Sequence, residues 1–137
     1  MAELPDPVRA LLEGPNYVHV ATLMGDGAPH SVARWGGLEG DRIAVYTQKG
    51  SLKARNLERD GRVAISVTGH EEPYKTAQIR GRVAETREGD AAGAIMDRLS
   101  LRYTGQPWRM HGPGGIAYLI EPERVRYTEL PFTHSPG

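Results

Sequence analysis

Apolar residues along this chain recur mostly at every second position, in short runs separated by glycine and proline. Tyr17 to Leu23 is rich in β-branched and aromatic residues, Gly25-Asp26-Gly27 supplies a hairpin loop, and His30 to Trp35 returns antiparallel to the first run. Gly36 to Asp41 reads as a turn, which makes Arg42 to Thr47 the third strand of a meander. Arg62 to Thr68 sets Val63, Ile65 and Val67 against Arg62, Ala64 and Ser66, the signature of a strand with one face inward. In the long run Tyr74 to Thr86, Ala77, Ile79, Gly81 and Val83 share a face, and Gly81 is expected to allow a bend or the close approach of another backbone. Ile116 to Ile120 and, after a break at Glu121-Pro122-Glu123, Arg124 to Glu129 complete the strands. Helical spacing occurs in Pro7 to Leu12, in the segment opened by Ser51, and most clearly in Gly89 to Tyr103, where Ala92, Ile95, Met96, Leu99 and Tyr103 recur at intervals of three and four before Gly105-Gln106-Pro107. About seven strands with two or three helices predict a mainly β, antiparallel barrel or rolled sheet that hides its edges by closure.

Composition narrows the class. The 137 residues suit one domain with its own core, and seventeen glycines with ten prolines fit frequent turns. Seventeen basic and seventeen acidic residues cancel, so no global field exists to hold nucleic acid or an anionic membrane, and charge-driven binding must be local. The absence of cysteine excludes disulfides, thiolate metal sites and a cysteine nucleophile. The first residues lack the pattern of a signal peptide and no apolar run reaches membrane-span length, so a cytoplasmic protein is expected. The tail from Leu130 to Gly137 reads as a loose end that frays or packs on a neighbour. No pair among His19, His30, His70, His111 and His134 has metal-ligand spacing, and neither a Gly-x-Ser-x-Gly elbow nor a Gly-x-Gly-x-x-Gly turn is present, so no metal, hydrolase or Rossmann site is expected.

The richest segment chemically runs from Ile43 to Leu57: a strand ending Tyr46-Thr47, the loop Gln48-Lys49-Gly50, and a helix start at Ser51-Leu52-Lys53-Ala54-Arg55. Ser51 suits an N-cap, the first-turn amides have no partners within the helix, and Lys53 and Arg55 bring cations beside them, an arrangement suited to phosphate. The alternative is an ordinary amphipathic helix with Leu52, Ala54 and Leu57 inward and both cations in water.

The same segment, with Pro29 to Trp35 before it, Asn56 to Ala64 after it, and Arg80-Gly81 and Arg102 to Gly105 further on, resembles the pyridoxamine 5'-phosphate oxidase-like split-barrel proteins, in their deazaflavin-dependent branch. The resemblance implies a homodimeric antiparallel split β-barrel with coenzyme sites between subunits. It implies that Ser51, Leu52 and Lys53, with Arg55 nearby, hold the coenzyme phosphate, that His30, Ser31, Val32 and Ala33 with Tyr46 and Thr47 line its ring, and that Tyr74, Lys75 and Thr76 reach the ring from the partner. Trp108 and Arg109 fall in a loop that would cover a small-molecule substrate, or anchor a dimer. For Val32, Ala33 and Tyr46, plain barrel packing remains open. The chain has Ser51-Leu52-Lys53 where the true oxidases carry Ser-Arg-Lys, Ser31 in place of a phosphate-binding arginine, and no basic tail at Arg124 to Tyr127. These departures favour coenzyme F420, with FMN as alternative, and a hydride-transferring oxidoreductase; its acidic tail would find Arg55, Arg59 or Lys49 at the rim. Tyr46, Tyr74 or His111 could give a proton to product, a structural role being open for each. Rival readings are a non-catalytic carrier of the coenzyme or of haem, and a barrel that has lost its ligand.

Overall fold

The computed structural model describes residues 2–135; Met1 and the end of the expected loose tail, Pro136 and Gly137, lie outside the described residues. The elements in chain order are α1 (Asp6–Glu13), β1 (Val18–Leu23), β2 (Pro29–Arg34), β3 (Gly36–Glu39), β4 (Arg42–Gln48), α2 (Leu52–Arg59), β5 (Arg62–Thr68), β6 (Lys75–Glu88), α3 (Gly89–Thr104) and β7 (Gly115–Glu129). All strand pairs are antiparallel, in the order β2-β1-β5-β6-β7-β4-β3.

The two edge strands of this order, β2 and β3, are joined by Trp35 alone. One residue spans only about 3.3–3.6 Å, so the edges meet and the sheet is rolled into a barrel. The barrel is closed there by covalent continuity rather than by a ladder, which is what splits it. Tyr103 of α3 pins the seam: its hydroxyl accepts from the Gly36 N–H at 3.1 Å, and its own proton faces the carbonyls of Asn16 at 2.6 Å and Gly36 at 2.9 Å.

Alternation produces two cores. Val18 and Val20 of β1, Val63, Ile65 and Val67 of β5, Ala77 and Ile79 of β6, and Ile116, Tyr118 and Ile120 of β7 fill the barrel, joined by Val8, Leu11 and Leu12 of α1 and Ala54 and Leu57 of α2. On the outside, Ala92, Ile95, Met96 and Leu99 of α3 cover Ala44 and Tyr46 of β4 and Ala117 and Leu119 of β7. β4 and the first part of β7 are therefore buried on both faces, which accounts for their unbroken apolar runs.

Two strand assignments need correction. Gly36 to Glu39 is strand β3, not part of a turn; only Gly40 and Asp41 turn. Two glycines leave no side chains to alternate, yet they are what β3 requires, because a Cβ on Gly36 would lie 2.7 Å from Val18 Cγ2 and one on Gly37 2.9 Å from Leu99 Cδ2. Glu121-Pro122-Glu123 does not end a strand either. Gly81 pairs with Pro122 and Arg80 with Arg124, so Glu123 is bulged out and β7 continues past the proline. Gly81 permits the close approach expected of it, since a Cβ there would overlap the Glu121 carbonyl. No helix among the described residues is long and apolar enough to cross a membrane.

Candidate functional site

Helix α2 begins where β4 ends. Gly50 takes a positive φ of 80°, and Ser51 caps the helix with its Oγ, which accepts from the Ala54 N–H at 3.2 Å and shares a hydrogen bond with Thr47 Oγ1 at 3.1 Å. The amides of Leu52 and Lys53 remain outside the helix's own bonding. Lys49 is tied down by its amide to the Gly114 carbonyl at 2.7 Å and by an ion pair with Glu88.

The helix turns Lys53, Ala54, Asn56 and Leu57 inward, leaves Leu52 half-buried and Arg55 exposed. Asn56 is 0% exposed; its Nδ2 donates to Thr22 Oγ1 of β1 at 3.0 Å, and its Oδ1 accepts from Arg59, which also donates to the Leu23 carbonyl at 3.1 Å. These bonds seat α2 on the inner face of β1. Cross-strand partners share a face, so His30, Val32 and Arg34 of β2, opposite Thr22, Val20 and Val18, lie on that inner side.

Lys53 sits at 3% exposure and its Nζ has no hydrogen-bond partner among the described residues. Burial, with repulsion from the Arg34 guanidinium added, lowers its pKa from 10.5 to about 8. A solvated surface lysine is thereby excluded. A capped helix start, amides outside the helix's own bonding and two cations are features that suit an anion with several oxygens. His30 adds a second buried nitrogen, Nδ1, without a partner among the described residues.

Alternation divides the stretch expected to line a ring. His30 and Val32 face the groove, whereas Ser31 and Ala33 face the other side of β2. Ala33 instead joins Tyr17, Arg34, Trp35, Tyr46, Met96, Leu99 and Trp108 around an open depression of about 230 Å³ beside α3. Arg34 thus lines this depression and is also the charge that repels the Lys53 ammonium. Trp35 stacks on Tyr103 with ring centroids 5.2 Å apart at 11°, and Trp108 meets Trp35 edge-on at 5.8 Å and 79°. Trp108 is held by Asp97 of α3, whose Oδ1 accepts from the Trp108 amide at 3.1 Å and lies 2.8 Å from His111 Nε2. The His111 hydrogen bond holds the Asp97 carboxyl below the usual carboxylate range. Arg109 is exposed.

Ser31 faces a broad outer depression with Ala21, Ala64 and Ser66, bordered by Arg80 and Arg124. Tyr74, Lys75 and Thr76 stand apart from both sites of their own chain: Tyr74 packs edge-on against Phe132 of the tail at 5.4 Å, Lys75 pairs with Glu72 at 2.8 Å, and Thr76 lies opposite Thr128. Arg34, Trp35 and Asn56 are site residues that the spacing argument did not select. Arg34 was findable, since the period of two that turns His30 and Val32 toward the helix also turns Arg34 there.

Known proteins share this architecture. A solved structure named as an F420 reductase is 28% identical with a TM-score of 0.77, covering 86% of this chain and 94% of that one. A conserved hypothetical protein of Mycobacterium tuberculosis has a TM-score of 0.80 at 24% identity, over 100% of this chain and 93% of that one, a likeness of fold. The pyridoxine/pyridoxamine 5'-phosphate oxidase of Roseobacter denitrificans is 32% identical over 95 residues, 69% of this chain but only 46% of that enzyme. This chain thus spans about half the length of that relative. Residues 4–129, the barrel with all three helices, match the family model described as pyridoxamine 5'-phosphate oxidase, and the chain belongs to that family.

Proposed function

We propose that this chain is a homodimeric oxidoreductase that holds a phosphorylated deazaflavin, coenzyme F420, between subunits and presents it to a small unsaturated organic substrate. The observation that carries this reading is the Lys53 ammonium, buried at the start of α2 without a hydrogen-bond partner among the described residues. A buried lone charge is costly, and a ligand phosphate supplies the missing partner. Ser51, the Leu52 and Lys53 amides and Lys53 Nζ would hold the phosphate with Arg34 beside them, while exposed Arg55 suits the acidic tail of the coenzyme. His30 and Val32 lie on the face of β2 turned toward Thr22 and Val20, Thr47 stands at the helix cap, and Ala33 and Tyr46 line the depression beside α3. Tyr74, Lys75 and Thr76 would approach from the partner subunit.

When bound in its reduced form, the coenzyme supplies a hydride from C5 of its ring. The chain's residues then have positioning and exclusion of water as their task, and no side chain needs to act as an obligatory acid. Trp108 lines the depression beside α3, and the loop that carries it with Arg109, tied to Asp97, would cover a bound substrate. The half-matched oxidase of Roseobacter denitrificans supports FMN as the second choice of cofactor, whereas the Ser51-Leu52-Lys53 sequence and the F420 reductase neighbour support the deazaflavin.

Fluorescence titration of the purified protein with coenzyme F420 and, separately, FMN tests both choices. Lys53→Ala should weaken binding by about 1.5–3 kcal/mol, the range for a hydrogen bond to a charged group. Unchanged affinity removes Lys53 from the site, and tight FMN binding with none of F420 reverses the cofactor choice. Turnover with reduced coenzyme and an electron acceptor separates an enzyme from a carrier.

A further inference from the structure

The outer face of β1, β5, β6 and β7 carries a charge imbalance that the chain as a whole does not. Seventeen basic and seventeen acidic residues cancel over the sequence. Two open depressions on this face, of about 710 and 500 Å³, are nevertheless lined by Arg62, Arg80, Arg82, Arg124 and Arg126 against one acid, Glu123. Two of the five arginines are already neutralised, Arg62 by Asp60 at 2.7 Å and Arg82 by Glu123 at 3.4 Å. Arg80, Arg124 and Arg126 make no ion pair and no side-chain hydrogen bond among the described residues.

Strand register places these three together. Arg80 of β6 is directly opposite Arg124 of β7, and Arg126, opposite Gln78, is the next outward position of β7. Directly opposed side chains stand about 4.5–5.5 Å apart at Cβ and diagonal ones about 7–8 Å, and like charges so placed destabilise a sheet. An anion that bridges them removes this repulsion and gains charge-assisted hydrogen bonds. The neighbouring positions leave room for it: Ala64 lies opposite Arg80, and Ser66, opposite Gln78, adds a hydroxyl. Guanidinium groups pair with phosphate oxygens two at a time, and two phosphoryl groups joined by one bridging oxygen suit cations spaced in this way.

We propose that Arg80, Arg124 and Arg126 form a binding site for a diphosphate group, free or as an ester, on the outer face of the barrel. It lies on the other side of the sheet from α2 and does not rest on the coenzyme assignment at Lys53. Were a second copy of the chain to pack on this face, the bound anion would supply the negative charge that neither copy offers.

The test uses the Lys53→Met protein, in which the other candidate anion site is silenced, titrated calorimetrically with inorganic diphosphate, ADP and sulfate at fixed ionic strength. Diphosphate should bind and raise the melting temperature. Arg124→Gln in the same background should weaken it roughly tenfold, the loss for one hydrogen bond to a charged group, whereas Arg62→Gln, whose guanidinium is held by Asp60, should leave it unchanged. Without ligand, Arg124→Gln should melt no lower than its parent, because it relieves a repulsion, so that lost binding reports the site and not unfolding. Equal affinity for diphosphate and ADP supports the free anion, and tighter ADP supports an ester whose organic part lies over Ala21 and Ala64. Absence of diphosphate binding overturns the site, and sulfate bound as tightly as diphosphate overturns the two-group ligand in favour of diffuse attraction. Affinity unchanged by Arg124→Gln, or lost equally in Arg62→Gln, overturns the assignment to these arginines.

Discussion

At the scale of single residues, the buried Lys53 ammonium costs stability. Its folded pKa of about 8 lies below the unfolded 10.5, so between those values the unfolded chain keeps a proton the folded chain has released. Stability therefore rises with pH across that window, by an amount of order 3 kcal/mol for a shift of this size. Below about pH 8 the folded protein carries the buried charge at full cost. Lys53→Met should accordingly be more stable than wild type at pH 7 in urea melts without ligand, and the difference should shrink toward pH 10. The same substitution should weaken coenzyme binding, so the two effects run in opposite directions, as expected where a site retains an unfavourable group for function. In the wild type, affinity for a phosphate-bearing ligand should decline as pH rises through about 8, because the free protein then loses the charge that the ligand needs.

At the scale of elements, α3 and the loop after it are joined by Asp97. Replacement by alanine removes the acceptor for both the Trp108 amide and His111, and hydrogen exchange at the Trp108 amide should accelerate while amides of β4 and β7 stay protected. In the wild type the same acceleration should appear as pH falls through the depressed Asp97 value, since the carboxylate form is the one stabilised by folding. The bulge offers a second test: at Gly81 the obstacle to a side chain is the Glu121 backbone carbonyl, which cannot swing aside, so Gly81→Ala should destabilise by about 1–3 kcal/mol in the same melts. Bulge and seam also mark where sequence patterns stop being sufficient. Alternation was legible in β1, β5 and β6 because one face of each is buried, and the α3 stripe was legible for the corresponding reason. β3 escaped because glycine carries no side chain to count, and β7 was divided because proline usually interrupts a ladder. The expected count of seven strands agrees with the structure only because those two misplacements offset each other. The Ser51 cap was visible in the strand-loop-helix pattern, but the burial of Lys53 depends on how α2 seats against β1 and β4, which spacing does not show. The meeting of Trp35 with Trp108 joins residues far apart in sequence and could not be read from spacing.

At the scale of the whole molecule, the outer face of β2, β1, β5, β6 and β7 holds two depressions, of about 710 and 500 Å³, that share Ala21, Ala64, Arg80 and Arg124. Small side chains at Ala21, Ser31, Ala64 and Ser66 let another flat surface approach this face closely, and the interior of the barrel is already filled by its core. A second copy of the chain seated there would bring a partner's residues toward the β2 strand that also borders the Lys53 groove, which is what a coenzyme site between subunits requires. Ala64→Trp isolates the idea, because the side chain projects from the outer face, opposite the inward Val63 and Ile65, and leaves the core untouched. Sedimentation equilibrium should give twice the chain mass for wild type and the single-chain mass for Ala64→Trp, with thermal stability measured at equal concentration lowered only by the loss of association. Coenzyme affinity should fall together with the dimer. A variant that remains dimeric places the interface elsewhere, and a monomeric variant with full coenzyme affinity shows that one chain suffices to hold the ligand.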